Sequence, residues 1–544
     1  MKTVGKKSII KLGIACMCIF NFSTLYSQDI EKGLRSLELE QKQKAKSIFL
    51  NFAKQNPTNV MALYYAGEIS FAFEKYDSAS YYFAKGIEID KANPYNYIGT
   101  GRIFLHNGNK EEARKSFDKA FNLAKGRKDV NIYLQLAEAN IVSKNKDFDQ
   151  AIVYLDKAKE FDKTVSEIYI KYGNIFLDQN NAGKALSNYE RATEVNKSFT
   201  KGFFKIGMIS SLARMYPEAL AAFQNVITLD SNYIPVYREL GELYFMAQKY
   251  DKASETYSKY IQKTEEYTMD ERVRYAYMLF FDKKYDKAKV EMNEVLKKDS
   301  NNVTLLRLQG YSSCETKDYK KGLYYMDRFF KLVDKKKILS SDYEYTARLY
   351  KETGSDSLAI VNYKQAMISD STRTDFYKDI ADIYNKKKEY KNAADNYELL
   401  IKSTQSPLTS QYFSLGKAYY FATFDAKLDS LTKRSYLVLA DSAFSKVNVA
   451  KPDYAQAHFY RAGVRAQLDP ESTAGLAKPQ YEMVVKLYEG APEKNKAALI
   501  EAYQYLGYYY YLQKDNATSK TFWEKLLVLD PNDKQAKEVL KVIK

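Results

Sequence analysis

Residues 237–244 read Tyr-x-x-Leu-Gly-x-x-Tyr, and residues 253–257 read Ala-x-x-x-Tyr. In the first stretch the apolar residues and the glycine recur at intervals of three and four, so they share one face of a helix. In the second, the alanine and the tyrosine lie one turn apart on another helix. Gly241 and Ala253 let the two backbones approach, while the aromatic rings fill the volume beside them. The two stretches therefore predict a pair of antiparallel, packed helices.

This pattern returns along the chain at intervals of about 34 residues. The small residue of the first helix recurs at Gly33, Gly67, Gly101, Gly173, Gly207, Gly241, Ala276 and Gly310. The small residue of the second helix recurs at Ala45, Ala79, Ala113, Ala151, Ala185, Ala219, Ala253, Ala288, Gly322, Ala359 and Ala393. Later units are centred on Ala381, Gly416, Ala462 and Gly507, which brings the expected total to about 14. Each unit is stable because it buries its apolar face on its neighbours.

Short turns are expected between the two helices of a unit. Lys-Tyr-Asp stands at residues 75–77, 249–251 and 284–286. An aspartate before a helix accepts hydrogen bonds from the free backbone N–H groups of its first turn. Asp77, Asp251 and Asp286 are therefore predicted to cap the second helices.

The repeated residues resemble the signature of tetratricopeptide-repeat proteins, W-x-x-L-G-x-x-Y followed by A-x-x-x-F, with Tyr usually replacing the Trp. The resemblance extends over nearly all of the chain after residue 27. It implies an all-α fold, namely a right-handed α-solenoid (superhelix) of about 14 helix-turn-helix repeats. It also implies a function in protein–protein interaction.

Departures from the period divide the predicted array. Gly416 and Ala440, the two small residues of one repeat, are 24 residues apart instead of 12, and a later repeat is lengthened as well. The last residues have the pattern of an amphipathic helix that covers the open end of a solenoid. The predicted order is an N-terminal and central array at residues 28–408, a C-terminal sub-array at 409–531 with insertions near 423–435 and 466–474, and a capping helix at 532–544.

The first 27 residues have the pattern of a secretory signal peptide. Four lysines precede an apolar run at residues 12–22, and cleavage is expected after Ser27. The run is shorter than the roughly 20 residues that span a bilayer, and no transmembrane segment is expected elsewhere. The mature protein is therefore expected in the periplasm or at the outer membrane. Lipidation at Cys16 is the alternative.

The composition gives no support for catalysis. Among 544 residues there are three Cys and two His, His106 and His458, and these two lie 352 positions apart. Such a composition excludes most zinc, haem and histidine-based sites. No catalytic, cofactor-binding or metal-binding residue is predicted, and the protein is not expected to be an enzyme. The net charge of +16 suits nucleic-acid binding, but export argues against it.

The resemblance assigns the concave wall of the solenoid to the first helix of each repeat. The wall positions carry aromatic residues with interspersed Arg and Lys, which suit an extended peptide or a partner helix. The predicted partner-binding residues are Tyr64, Phe204, Arg238, Glu242, Tyr277, Arg307, Tyr311, Arg348, Phe413, Lys417, Tyr508 and Tyr511.

Two functions remain open from the sequence. The first is an exported scaffold or adaptor that binds other envelope proteins through its concave surface, in the periplasm or on the periplasmic face of the outer membrane. The alternative is a glycan-binding component of an outer-membrane nutrient-uptake system, to which a single Trp is poorly suited because sugars stack on large aromatic rings. The partner and the oligomeric state are not predicted.

Overall fold

The computed structural model describes residues 28–127, 129–265 and 267–543. The predicted signal peptide and Cys16 lie outside these residues. The described chain forms α-helices and two short 3₁₀ helices, with no strand in this part of the protein. None of the described helices is long and apolar enough to cross a membrane.

The chain divides into two compact units between Lys298 and Asp299. The predicted start of a sub-array at residue 409 stays a prediction. The helices of the N-terminal unit are α1 (residues 28–38), α2 (Lys42–Gln55), α3 (Val60–Ala72), α4 (Tyr76–Ile89), α5 (Pro94–His106), α6 (Lys110–Ala124), α7 (Val130–Ile141), α8 (Phe148–Phe161), α9 (Ser166–Asp178), α10 (Ala182–Val195), α11 (Thr200–Leu212), α12 (Tyr216–Leu229), α13 (Ile234–Met246), α14 (Tyr250–Lys263), α15 (Met269–Phe281) and α16 (Tyr285–Leu296).

The C-terminal unit continues the same alternation. Its helices are α17 (Val303–Glu315), α18 (Tyr319–Leu332), α19 (Ser340–Glu352), α20 (Asp356–Ser369), α21 (Phe376–Lys386), α22 (Tyr390–Ser403), α23 (Thr409–Ala422), α24 (Ser430–Ala450), α25 (Ala455–Leu468), α26 (Lys478–Tyr488), α27 (Lys496–Leu512), α28 (Asn516–Leu529) and α29 (Lys534–Val542). The two 3₁₀ helices, Lys335–Lys337 and Pro492–Lys494, lie between pairs.

Each odd-numbered helix up to α27 packs against the even-numbered helix that follows it. The described residues thus form fourteen pairs and the single helix α29. This confirms the predicted all-α repeat fold, its number of repeats and the helix that follows the last pair. We call the odd-numbered member of a pair the first helix and its partner the second helix.

The packing inside a pair depends on the small residue of the first helix. A Cβ atom added to Gly67 would lie 2.3 Å from a ring carbon of Phe83, and one added to Gly173 would lie 2.3 Å from a ring carbon of Tyr189. The aromatic residue that follows the Ala of the second helix therefore sits directly on the glycine. The same arrangement recurs at Gly33, Gly101, Gly207, Gly416 and Gly507, which face Phe49, Phe117, Phe223, Phe444 and Trp523.

The predicted caps are wrong. Helix α4 begins at Tyr76, so its N-cap is Lys75, and Asp77 lies inside the first turn without capping it; Asp251 and Asp286 lie likewise in α14 and α16. The reason is the tight connection, in which Glu74 adopts a left-handed conformation with φ of 59° and the helix starts two residues earlier than a cap at Asp77 would place it. The aspartates still interact favourably with the helix dipole.

The predicted insertion near 423–435 mostly extends a helix. Residues 423–429 form the turn, and α24 then runs for 21 residues, against 14 in α22. Asp429 caps this long helix by accepting a hydrogen bond from the backbone N–H of Thr432 at 2.8 Å. The extra residues near 466–474 occupy the end of α25 and the turn before α26.

Candidate functional site

All twelve residues predicted to bind a partner lie on first helices, and we call the surface that they share within each unit the first-helix face. Their positions are Tyr64 on α3, Phe204 on α11, Arg238 and Glu242 on α13, Tyr277 on α15, Arg307 and Tyr311 on α17, Arg348 on α19, Phe413 and Lys417 on α23, and Tyr508 and Tyr511 on α27.

Three of the predicted residues are buried between helices. Tyr64 is 1% exposed, and its hydroxyl donates a hydrogen bond to Gln135 on α7 at 3.1 Å. Phe204 is 5% exposed and Tyr311 is 6% exposed. These side chains join neighbouring repeats, so the expectation that they lie on an open wall is wrong for them.

The charged predicted residues of the N-terminal unit are already paired. Arg238 binds the carboxylates of Glu40 and Glu239, and Glu242 accepts a hydrogen bond from Nε of Arg274 at 2.6 Å. Tyr277 lies half-buried on α15. Ion pairs of this kind join successive first helices at Glu68–Arg102, Glu138–Lys171, Glu167–Lys201 and Glu242–Arg274. These charges of the first-helix face are therefore already engaged within the unit.

A second set of polar contacts, which we call the clasp, joins α1 and α2 to the region between α12 and α15. These contacts link residues 195 to 221 positions apart in the sequence. The members are Arg35 with Asp230, Arg35 over the ring of Tyr233 at 5.7 Å, Arg238 with Glu40, and Lys44 with Glu265 at 2.7 Å. The Lys44–Glu265 pair is exposed and the two arginine pairs are half-buried. Such pairs are weak and screened by salt, so this contact is expected to open reversibly.

We expect that Arg35→Ala combined with Arg238→Ala will release the clasp, because the two substitutions remove most of its pairs. The expected loss is about 1–2 kcal/mol in sum. Spin labels at Ser47→Cys and Gln262→Cys allow the distance between α2 and α14 to be measured by electron-spin resonance. The distribution of this distance should be broader in the Arg35→Ala, Arg238→Ala variant. It should also be broader in 1 M NaCl when both arginines are present. Lys115→Ala with Lys157→Ala, which removes two local surface pairs, serves as the control. An unchanged distribution in both cases would contradict the prediction.

In the C-terminal unit, two predicted residues converge on a carboxylate that the sequence did not single out. Asp342, at the start of α19, is fully buried. It accepts hydrogen bonds from Nε and Nη2 of Arg307 at 2.7 and 2.9 Å, from the hydroxyl of Tyr311 at 2.6 Å and from the backbone N–H of Leu339 at 2.7 Å. Burial, followed by the Asp342 charge, raises the pKa of the Tyr311 hydroxyl well above its usual range. The network holds α17 against α19.

Beside this network lies an open cavity of about 450 Å³ between the first helices α17, α19 and α21. Its walls carry charges of both signs, and two of its three aromatic residues, Tyr363 and Phe376, are buried. The lining residues are Cys314, Glu315, Lys317, Tyr319, Glu344, Arg348, Lys351, Glu352, Tyr363, Phe376 and Asp379. Among the predicted residues, Arg348 lines this cavity.

The charges on the wall of the cavity are held by ion pairs between repeats. Arg348 contacts Glu315 at 2.9 Å, and Lys351 contacts Asp379 at 3.0 Å. Lys317 and Glu352, at the rim, are exposed. Burial raises the pKa of the Cys314 thiol to about 11, so the thiol stays protonated at neutral pH and is a poor nucleophile. The cavity is therefore suited to binding rather than to covalent chemistry.

The remaining predicted residues lie further along the C-terminal unit. The ammonium of Lys417 lies over three aromatic rings, 5.8 Å from the ring centre of Phe413, 5.9 Å from that of Phe421 and 5.2 Å from that of Tyr460. Tyr508 and Tyr511 are 39% and 40% exposed on α27. These residues lie in the next repeat after the cavity or further along the chain.

Sequence reasoning missed Asp342 and most of the cavity. The wall positions carried over from the family include Arg348 but not Asp342, the third residue of α19. A signal was nevertheless present, since an acidic residue close to the start of a first helix stands 35 residues after Arg307, which is one repeat further on. Residues one period apart on adjacent first helices are neighbours in a solenoid.

Comparisons with known proteins agree with this architecture. A sequence model described as tetratricopeptide repeat matches residues 166–199. The C-terminal part of a TPR repeat-containing protein from Cytophaga hutchinsonii is 31% identical over 49% of this chain and 98% of its own, with a TM-score of 0.40. No curated protein matches the chain at a significant level.

Two further solved structures are more distant in sequence. The Pseudomonas aeruginosa protein pilF is 18% identical over 38% of this chain and 92% of its own, with a TM-score of 0.32. A chain of the APC/C hetero-tetramer Cut9–Hcn1 is 12% identical over 87% of this chain and 94% of its own, with a TM-score of 0.26. On the 31% identity to the Cytophaga protein, together with its own repeats, the chain belongs to the tetratricopeptide-repeat proteins. It has the fold of a protein–protein interaction scaffold.

Proposed function

We propose that this protein is an exported, non-catalytic scaffold of the bacterial envelope that binds a segment of another envelope protein on its C-terminal first-helix face. The segment is an extended peptide or a helix, and the binding centre is the cavity between α17, α19 and α21. Export is supported by the residues before Ser27, which have a basic start and an apolar run. We infer a periplasmic or outer-membrane location from that pattern.

The observation that carries the proposal is the open cavity of the C-terminal unit. Ion pairs join neighbouring first helices in both units, at Glu68–Arg102 and Glu242–Arg274 in one and at Glu315–Arg348 and Lys351–Asp379 in the other. Between α17, α19 and α21 they leave an open cavity with charged walls. A pocket of this size accepts one or two side chains of a peptide. Its fixed charges favour side chains of the opposite charge.

The chemistry of the rim indicates the kind of segment that fits. Lys317 and Glu352 are exposed charges of opposite sign, whereas Arg348 and Lys351 are engaged in ion pairs within the wall. A segment with both a basic and an acidic side chain pairs with these rim charges. Fixed charges of this kind contribute more to specificity and association rate than to affinity.

Site-specific photo-crosslinking tests the proposal. A photoreactive phenylalanine analogue at position 317 or 352 should yield a discrete crosslinked envelope protein. The same analogue at position 331, on the outer side of the second helix α18 where Lys331 is 70% exposed, should yield none. Equal crosslinking at all three positions would contradict the cavity as binding centre.

The identified partner then allows a quantitative test. The charge exchange Lys317→Glu with Glu352→Lys keeps the net charge and should weaken binding by at least about tenfold, because like charges then face each other. The matched control exchanges the exposed pair Asp327 and Lys331 on α18, which should leave the affinity unchanged. An affinity unaffected by the rim exchange would show that the segment binds elsewhere.

Localisation and the glycan alternative need separate measurements. Cell fractionation should recover the mature protein in the periplasmic or outer-membrane fraction, with a mass that corresponds to cleavage after Ser27. Recovery in the cytoplasm would contradict export.

The glycan-binding alternative stays a prediction, and calorimetric binding of an oligosaccharide would favour it over the scaffold.

A further inference from the structure

One edge of the C-terminal unit carries a row of exposed aliphatic side chains. First and second helices alternate in direction, so every turn from a second helix to the next first helix lies at the same edge of the array. At five of the six such turns an aliphatic residue is between 51% and 80% exposed, the turn between α26 and α27 being the exception. These residues are Leu339, Ile368, Leu408, Val449 and Val528.

The corresponding edge of the N-terminal unit is different. Its most exposed aliphatic or aromatic side chains at these turns, Ile89, Phe161 and Leu229, are only 40–44% exposed. Leu339 and Leu408 precede first helices, whereas Ile368, Val449 and Val528 lie in the last turn of second helices. Isolated exposed apolar residues are ordinary on a protein surface, but their recurrence at successive turns along one edge is not. The edge of the C-terminal unit therefore has the character of a contact surface.

The turn between α18 and α19 adds positive charge to this edge. Lys335, Lys336 and Lys337 form a 3₁₀ turn and are all exposed. Leu332 and Leu339, which flank them, are 45% and 51% exposed. The one acidic residue of the turn, Asp334, accepts a hydrogen bond from the backbone N–H of Lys336 at 3.0 Å. Three cations thus stand between two apolar side chains.

We propose that this edge docks on an anionic phospholipid bilayer, with the α18–α19 turn as its centre. Lysines near the surface of an anionic bilayer are attracted by its negative potential. Leu332 and Leu339 then enter the interfacial region, as the apolar side of a peripheral protein does. Ile368 and Leu408, at the next two turns, extend the same contact. The positive charge of the turn favours anionic lipid headgroups over an uncharged partner.

This surface is distinct from the proposed partner site. The cavity is lined by residues of the first-helix face, whereas the docking edge consists of the turns between pairs. Failure of either proposal therefore leaves the other intact, and the two are tested with different probes.

Vesicle flotation provides the test, with neutral phosphatidylcholine vesicles and vesicles that contain about one-third phosphatidylglycerol. The protein is expected to float with the anionic vesicles at low ionic strength, and 0.5 M NaCl should release it because the attraction is screened. Lys335→Gln, Lys336→Gln and Lys337→Gln together should weaken partitioning by about 100-fold. Leu332→Ser with Leu339→Ser should weaken it by at least about tenfold.

The control replaces three exposed lysines of α6, Lys110, Lys115 and Lys119, with glutamine, so that the net charge changes equally. This control should bind anionic vesicles nearly as well as the unsubstituted protein. Three results would overturn the proposal: equal binding to neutral vesicles, no binding to either kind, or an equal loss in the two lysine triples. Circular dichroism of each variant verifies that the helical fold is retained.

Discussion

Asp342→Ala is expected to destabilise the helices around the cavity by about 3–5 kcal/mol, because it removes one partner of a buried ion pair. The carboxylate is fully buried and accepts four hydrogen bonds, two of them from Arg307. Without it, the guanidinium of Arg307, which is 19% exposed, and the hydroxyl of Tyr311 lose their acceptor. The penalty of leaving these donors buried exceeds the value of the pair itself.

The loss should be local. In a repeat array each unit contacts only its neighbours, so opening near Asp342 need not unfold distant helices. Native-state hydrogen exchange is the suitable measurement, since a long array does not unfold as one cooperative step. Amides of α17 to α20 should exchange faster, while those of α27 to α29 should be unaffected.

The control for this prediction is Asp395→Ala, which removes an exposed carboxylate from the second helix α22. We expect a change of less than about 0.5 kcal/mol from it. If Asp342→Ala cost no more than the control, the network would not hold α17 against α19.

Gly173→Ala is expected to lower the stability of the α9–α10 pair by about 1–2 kcal/mol, although alanine is the better helix former. The added Cβ would lie 2.3 Å from a ring carbon of Tyr189. The ring cannot easily retreat, because Tyr189 is fully buried and its hydroxyl donates to Asn174 at 2.9 Å. Steric overlap therefore outweighs the gain in helix propensity.

Gly183→Ala in the same pair is the matched control and should have the opposite sign. A Cβ added at Gly183 meets no atom within 4 Å, so only the propensity gain of up to about 1 kcal/mol remains. Hydrogen exchange of α9 and α10 measures both variants. Stabilisation by Gly173→Ala would show that the glycine is not required by packing.

The repeat fold could be predicted because its determinants are local and recur. A glycine or alanine on the first helix and an aromatic on the second, such as Gly173 and Tyr189, lie within one pair, and their spacing is visible in the chain. The helix starts were harder to place. Most second helices are preceded by a left-handed residue, such as Glu74, which is seldom glycine. Nothing in its residue type therefore marked the turn.

The candidate site was only partly predictable. Arg348, predicted from its position within the repeat to lie on the concave wall, lies on a first helix and lines the cavity, but the sequence predicted no cavity and the partner-binding role stays a prediction. Tyr64 and Tyr311 occupy similar positions, yet each is buried by a polar partner on another repeat, Gln135 and Asp342. The type of residue at a wall position does not reveal whether a neighbouring repeat covers it.

The sequence alone determined that the chain consists of helix pairs, how many there are and which side chains pack inside each pair. It did so because helix periodicity and the fit of a ring on a glycine involve residues less than one repeat apart. The tertiary structure decided which parts of the first-helix face are open. That depends on pairings between repeats, from Arg307 with Asp342 at 35 positions to Arg35 with Asp230 at 195, and charges so far apart are brought together only by the stacking of the repeats.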